Sequence, residues 1–149
     1  MRRRGITLIE LLVVLAIIGL VIGMSIPGFV GYAQRTRLNS SARQVVGLLS
    51  LARSMAISSH EEHAVEVDAA QGEVRVVNEV SGEALEKVVR LPNSVNISME
   101  IGGEAPAESR IVFHTSGGLG GRPVSLTLAD TKDRRTIVVS GTTGAVSLQ

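Results

Sequence analysis

Apolar residues form a nearly continuous block over residues 6–26 of the chain. Five residues interrupt this block: Thr7, Glu10, Gly19, Gly23 and Ser25. At about 1.5 Å per residue, a helix of this length reaches about 30 Å, which matches the hydrocarbon thickness of a bilayer. The block therefore predicts a membrane-spanning helix. Because arginines precede it, we expect a cytoplasmic N-terminus and an exported C-terminal part.

A second apolar pattern follows, in which small and branched residues recur at steps of three or four. Its members are Leu38, Ala42, Val45, Leu49, Ala52 and Ala56. This spacing predicts an amphipathic helix that ends near Ser59 and turns one apolar stripe toward a domain core. Pro27 precedes this stretch beside two glycines and predicts a bend between the two helical parts.

From residue 64 onward the apolar period changes to two, which is typical of strands. Val65 and Val67 are separated from Val74 and Val76 by a turn-forming segment, and this arrangement predicts a hairpin. Further strands are predicted over residues 85–91, 95–101, 110–113, 124–128, 136–139 and 145–148. One long helix packed on an antiparallel β-sheet domain is the α+β fold that this order favours.

The amino-acid composition argues against several kinds of functional site. The chain has 15 basic and 14 acidic side chains, so no global basic excess is available for non-specific phosphate binding. It has no cysteine, which excludes disulfides, thiolate zinc sites and a cysteine nucleophile. The chain has only two phenylalanines and one tyrosine, which are too few to form a surface on which nucleic-acid bases could stack.

Glu10 is the anomaly of the apolar block, because a carboxylate in a membrane segment costs roughly 2.5 kcal/mol or more and is usually functional. If the chain were cut after Gly5, the new α-amine of Ile6 would lie four residues away on the same helical face. An amine from a neighbouring chain would serve equally well. The alternative is that the Glu10 side chain simply reaches the lipid headgroups.

The segment GITLIELLVVLAIIG at residues 5–19 closely resembles the cleavage and assembly motif of type IV prepilins and type II secretion pseudopilins. The resemblance implies that a prepilin peptidase cleaves after Gly5 and methylates Ile6, which stands where the family most often has phenylalanine. It also implies that Glu10 guides docking into a filament and that Pro27 kinks the helix. Later segments are similar to the GspH/FimT branch, including ARSMAI at residues 52–57 and IVF at residues 111–113.

This resemblance implies a pilin-like fold with four parts. They are a leader peptide (1–5), a transmembrane and assembly helix (6–27), a stem helix (28–59) and a β-rich globular domain (60–149). The implied partners are other pilin or pseudopilin subunits, the prepilin peptidase and the bacterial inner membrane. The C-terminal domain is expected in the periplasm or outside, as part of a pilus or pseudopilus. Type II secretion pseudopilins and type IV minor pilins share these features equally.

Two rival functions remain open from the sequence. The first is a FimT-like minor pilin that binds DNA for uptake through Arg122, Lys132, Arg134 and Arg135, although charged residues of this kind also form ordinary solvated turns. The second is an uncleaved single-span membrane protein with an exported domain of unrelated purpose. An enzyme is not expected, since no nucleophile motif accompanies the serines and histidines.

Two further motifs are interpreted as structural. His60 and His63 flank Glu61 and Glu62, but the zinc-protease motif places its histidines four apart, so we expect a hydrated helix end without a metal. The glycine-rich segment at residues 116–121 lacks the Gly-Lys-Ser/Thr ending of a phosphate-binding loop and is expected to join two strands. No cofactor is implied.

Overall fold

The computed structural model describes residues 7–149, except for the side chains of residues 24–30 and of Glu86. The predicted cleavage and methylation at Gly5 and Ile6 lie outside these residues, and so does the Pro27 side chain. The chain divides into two compact units, Met1–Arg35 and Thr36–Gln149. Helix α1, Leu8–Ser59, contributes to both units and ends at the residue that the sequence predicted.

Eight strands follow α1 in the second unit. They are β1 (His63–Asp68), β2 (Glu73–Asn78), β3 (Ala84–Arg90), β4 (Asn96–Ile101), β5 (Arg110–Phe113), β6 (Val124–Ala129), β7 (Arg134–Val139) and β8 (Val146–Leu148). Each predicted strand is confirmed, with boundaries that shift by no more than two residues. The β1–β2 hairpin has the predicted register, with Val65 opposite Val76 and Val67 opposite Val74.

The strands form two antiparallel sheets. The first sheet has the order β3-β2-β1-β5, and the second has the order β4-β6-β7-β8. The predicted α+β class with antiparallel strands is confirmed, but the strands form two sheets rather than one. The alternation of apolar residues along a strand cannot show to which sheet the strand belongs. The chain crosses between the sheets three times after β3: the β3–β4 and β5–β6 connections lead from the first sheet to the second, and the β4–β5 connection leads back.

One hydrophobic core joins the helix to both sheets. The predicted stripe of α1 is buried at every position from Leu38 to Ala56, with none of its six members more than 1% exposed. Phe113 from β5 and Leu126 from β6 are fully buried in the same cluster. Burial alternates strictly along β6, as expected for a strand that presents one face to a core and the other to solvent.

Two polar contacts attach α1 to β7 and its following turn. Near the start of β7, the Arg135 Nε–H donates to Asn39 Oδ1 at 2.8 Å. Beyond its end, the Arg53 Nε–H donates to the carbonyl oxygen of Thr143 at 3.1 Å. Residue numbers rise together along both elements, so this part of α1 and β7 run in the same direction. The helix rises about 21 Å between the two contacts.

The glycine-rich β5–β6 connection packs against the β7–β8 turn. Leu119 N donates to the carbonyl oxygen of Gly141 at 2.8 Å, and Arg53 Nε also donates to the carbonyl oxygen of Gly117 at 3.2 Å. Gly144 has a φ of +64°, and a Cβ there would overlap the Gly117 carbonyl oxygen. Glycine is therefore needed for two reasons, the backbone conformation and the close approach of the two turns.

The segment around His63 corrects one prediction. His63 does not lie in a hydrated helix end but begins β1, and it is only 2% exposed. Its Nδ1 lies 3.0 Å from the Glu61 carbonyl oxygen, which satisfies one ring nitrogen without any ligand. His60 and Glu61 are exposed, as predicted, whereas Glu62 is partly buried. The helix ends at Ser59, before either histidine, so the four residues do not share a helical face.

Candidate functional site

The first turn of α1 is organised by Thr7. The Glu10 backbone N–H donates to Thr7 Oγ1 at 3.3 Å, and the Leu11 N–H donates to the Thr7 carbonyl oxygen at 3.2 Å. Thr7 thus caps the helix, a role that the sequence interpretation missed. A threonine three residues before a glutamate is the sequence signal that could have identified it.

The helix surface after this cap is apolar and uncovered. Twelve large apolar side chains between Leu8 and Ile22 are each 47% to 77% exposed. Soluble monomers rarely expose a contiguous apolar surface of this extent, and such surfaces mark sites that contact proteins or membranes. Within residues 7–149, no helix combines the length and the apolar content that a membrane crossing requires.

Glu10 lies in the first turn of this apolar helix, and its side chain is exposed. A carboxylate in the first turn interacts favourably with the partial positive charge of a helix N-terminus, by about 0.3–1 kcal/mol at an exposed site. This gain is smaller than the cost of taking an unpaired carboxylate into an apolar environment. An unpaired Glu10 carboxylate would therefore be unfavourable if the surrounding helix surface were covered.

The four predicted DNA-contacting residues do not share one surface. Arg122 precedes the first residue of β6, and its Nη2 lies 3.7 Å from Glu104 Oε2. Lys132, Arg134 and Arg135 lie past the opposite end of β6, in the β6–β7 hairpin. β6 has six residues and is about 20 Å long, so the structure brings three of the four together and separates Arg122 from them.

Asn39 of α1 contacts one of the three hairpin cations, because its Oδ1 accepts the hydrogen bond from Arg135. Asn39 and Arg43, which lies one turn later on the same face of α1, line a shallow groove together with Thr36, Ser40 and Gln44. We call Lys132, Arg134 and Arg135 the basic cluster.

Several cations elsewhere in the domain pair with glutamates. Arg75 pairs with Glu66 at 2.8 Å, Arg90 pairs with Glu73 at 2.8 Å, and Arg110 pairs with Glu79 at 3.0 Å. No ion pair with a carboxylate is found for the basic cluster within the described part of the chain. Asp130 and Asp133 lie in the same hairpin, so this surface carries charges of both signs.

A surface cavity of about 670 Å³ lies beside the β1–β2 turn and the start of β5. Its lining mixes both signs of charge, and Glu66 lies near two lining arginines, Arg75 at 2.8 Å and Arg110 at 3.8 Å. Among the described residues, no group of histidine, aspartate and glutamate side chains is arranged to hold a metal ion. The cavity is therefore best explained as a solvated, internally paired surface.

Solved structures with the same fold define the class of protein. The type IV minor pilin FimU of Pseudomonas aeruginosa is 17% identical, and the match covers 79% of this chain and 92% of that chain with a TM-score of 0.64. The minor pseudopilin EpsH from the type 2 secretion system of Vibrio cholerae is 16% identical, with 75% and 94% coverage and a TM-score of 0.63. The chain therefore has the fold of pilin and pseudopilin subunits. No curated protein sequence matches it.

The family follows from the sequence models. Residues 41–143 match the model of the type II transport protein GspH, and residues 1–26 match the prokaryotic N-terminal methylation motif. The first match covers more than half of the chain, and the protein belongs to the GspH family. It is a minor pseudopilin or pilin subunit, and the family implies assembly with other pilin subunits. Proteins of this family and fold are structural subunits rather than enzymes.

Proposed function

We propose that the chain is made as an inner-membrane precursor, is cleaved after Gly5 and methylated at Ile6 by a prepilin peptidase, and enters a filament through its N-terminal helix. The observation that carries this proposal is the apolar surface of α1 between Leu8 and Ile22, which is exposed along its whole length and bears one carboxylate, Glu10. The match to the N-terminal methylation motif over residues 1–26 supports the processing step.

Assembly follows from the chemistry of this surface. Apolar helices of neighbouring subunits provide an environment as apolar as lipid tails, so a helix can leave the bilayer for a filament without exposing its side chains to water. The same transfer would leave Glu10 costly unless a cation meets it. The α-amine of Ile6 on a neighbouring subunit is the cation that the cleaved chain supplies, and the pair sets the axial register.

The test of Glu10 is its replacement by valine. We expect Glu10→Val to be processed normally but to be depleted from sheared filaments, because the apolar surface is intact and the register contact is lost. Glu83→Val is the matched control, since Glu83 is also exposed but lies in the β2–β3 turn. Incorporation of both variants at the level of the natural chain would refute the role of Glu10.

The test of processing is the intact mass of the full chain from membranes with and without a prepilin peptidase. With the enzyme present, we expect loss of residues 1–5 and the addition of one methyl group. Gly5→Ala should keep the leader under the same conditions, because the peptidase reads the residue before the cut. An unprocessed natural chain would favour the uncleaved single-span alternative, in which Glu10 reaches the headgroups.

A second candidate function is DNA binding, and the unpaired basic cluster is the observation that favours it. Arg122 no longer belongs with the predicted DNA-contacting residues, because it lies at the other end of β6 beside Glu104. Lys132→Ala with Arg134→Ala should weaken duplex binding by the full chain and reduce its salt dependence, since each lost phosphate contact lowers the slope by about 0.9. Arg122→Ala is the matched control. Salt-independent or unchanged binding would exclude this function.

A further inference from the structure

We infer that the outer edge of β4 is a docking surface for a second copy of this chain, with the two β4 strands paired antiparallel about a two-fold axis at Ser98. The second sheet of one copy then continues into the second sheet of the other. This contact goes beyond the proposed function, because it lies on the globular domain and depends neither on leader cleavage nor on Glu10.

β4 lies at one edge of the second sheet, so only one of its sides is paired, with β6. In an antiparallel pair, successive residues turn their N–H and C=O groups alternately toward the partner strand and away from it. The Gly102 N–H, directly after β4, donates to the Pro123 carbonyl oxygen at 2.9 Å, on the β6 side. The even-numbered residues of β4 therefore bond to β6, whereas Ile97, Met99 and Ile101 direct their backbone groups outward.

The unpaired part of this outer side is bounded at both ends by hydrogen bonds within the chain. At one end, Ile101 exchanges two backbone hydrogen bonds with Glu104, at 2.8 Å and 3.3 Å. At the other end, the Val95 N–H donates to a carbonyl oxygen of the preceding turn at 2.8 Å. Between these ends, the outward N–H and C=O groups of Ile97 and Met99 have no hydrogen-bond partner among the described residues. We call these two residues the open edge.

The β4 edge lacks the features that usually keep an edge strand from pairing. Proteins protect edge strands by making them short, by placing lysines on them or by bulges. β5 and β8 have four and three residues, and β3 carries the exposed Lys87 and an irregular register against β2. β4 pairs with β6 over six consecutive residues without a register shift, and its exposed side chains are Asn96, Ser98 and Glu100. Such an edge is a template to which another strand can be added.

The backbone of β4 is complementary to itself at one register, the register centred on Ser98. There, Ile97 of one copy lies opposite Met99 of the other, so each N–H of the open edge meets a C=O of the open edge. Centring the pair on Ile97 or on Met99 would instead oppose the open edge to Val95 or Ile101, whose N–H groups already have acceptors. The register at Ser98 therefore satisfies both residues of the open edge on both copies.

The side chains of β4 agree with this register. On the exposed face, Ser98 lies opposite its own symmetry mate, and Asn96 lies opposite Glu100, so an amide can donate to a carboxylate and no like charges are opposed. On the core face, the apolar side chains of Ile97 and Met99 lie beside each other. Directly opposite pairs of these kinds stabilise antiparallel sheets, and a self-complementary strand is what a two-fold dimer requires. The occupant is thus a second copy of this chain.

The experiment places single cysteines in the full chain, which has no cysteine of its own. In membranes of cells that produce it, a mild oxidant should link Ser98→Cys into a dimer, because Cα atoms of a non-hydrogen-bonded pair lie about 4.5 Å apart, within reach of a disulfide. Asn96→Cys and Glu100→Cys, each alone, are the matched controls, since each cysteine lies about 13 Å along the strand from its symmetry mate. Produced together, these two variants should link to each other, because the register places them opposite.

Ser98→Lys tests the same axis by charge. Added to both members of the Asn96→Cys and Glu100→Cys pair, it should lower the linked fraction about tenfold, because two ammonium groups would oppose each other at the axis. Ser98→Thr should leave the linked fraction unchanged, since threonine is favourable in strands and adds no charge. Ser98 is exposed, so neither substitution changes the domain core.

Linking of Ser98→Cys that exceeds that of either flanking variant alone supports the docking surface. Equal linking of all three variants overturns it, because association through the apolar helix would bring the domains together without a fixed register. No linking at Ser98, or linking of Ser98→Cys to a different protein, also overturns the second copy as occupant. These variants leave Gly5 and Glu10 unchanged, so the mass measurement and Glu10→Val test the proposed function independently of this result.

Discussion

Gly144 offers the sharpest test of the packing between the β5–β6 connection and the β7–β8 turn. Gly144 is buried and has a φ of +64°, and its missing side chain leaves room for the Gly117 carbonyl oxygen. Gly144→Ala would therefore introduce two costs. One is the left-handed backbone conformation of alanine, and the other is the overlap of its Cβ with a backbone oxygen that has little freedom to move.

The two costs can be separated by comparison with Gly82. Gly82 has a φ of +71°, but no atom lies within 4 Å of the position its Cβ would take. Gly82→Ala should therefore cost only the backbone conformation, about 1–2 kcal/mol. Gly144→Ala should add an overpacking cost of about 1–3 kcal/mol. Gly47 lies in α1 with open space around it, and Gly47→Ala should stabilise the protein by about 0.5–1 kcal/mol.

The assay is urea unfolding of the full chain in detergent micelles, followed by circular dichroism in the β-sheet region. With a denaturant slope of about 1–3 kcal/mol/M, the unfolding midpoint of Gly144→Ala should fall roughly 1 M below that of Gly82→Ala. Equal midpoints for the two variants would refute the close approach of the two turns. A loss of stability in Gly47→Ala would show that alanine substitution itself, rather than the site, causes the effect.

Three further stability predictions use the same unfolding assay. Leu49→Ala should lower the free energy of unfolding by about 2–5 kcal/mol, because Leu49 is fully buried in the stripe of α1. Leu148→Ala should lower it much less, because Leu148 is 41% exposed. Similar losses in the two variants would contradict the core assignment. Arg53→Met should lower the free energy of unfolding by about 1–3 kcal/mol, because methionine keeps the aliphatic stem but lacks the Nε–H that donates to two carbonyl oxygens. An unchanged unfolding midpoint would refute that contact. Asp68→Ala should cost about 1 kcal/mol by removing the Oδ1 that accepts two backbone N–H groups in the β1–β2 turn, while Asp68→Asn should retain most of the stability.

The spacing of apolar residues was the sequence signal that predicted most of the fold. The three- and four-residue spacing between Leu38 and Ala56 predicted the buried stripe and the end of α1, and alternation predicted each strand to within two residues. Both signals are local, because a side chain's direction follows from the repeat of its own element. The family resemblance, which rests on the segment at residues 5–19, is confirmed by the sequence models.

What the sequence missed depends on contacts between distant residues. The division into two sheets is set by which strands pair, and β5 pairs with β1 across more than 40 residues. The hydrogen bond between Arg135 and Asn39 joins positions 96 apart, and Arg122 lies at the other end of β6 from Arg135. His63 was placed in the wrong element because a polar residue beside a helix end gives no local sign of burial in a strand.

The paired attachment of α1 to β7 and its following turn has a mechanical consequence. Arg135 holds the near end of β7 and Arg53 holds the turn beyond its far end, so a pull along this part of the helix is passed to β7 lengthwise. β7 is hydrogen-bonded to β6 along six residue pairs and to β8 along three, and a lengthwise load strains these bonds together rather than one after another. Resistance to shear is therefore built into the second sheet, and the domain can bear tension transmitted through the helix without peeling open strand by strand.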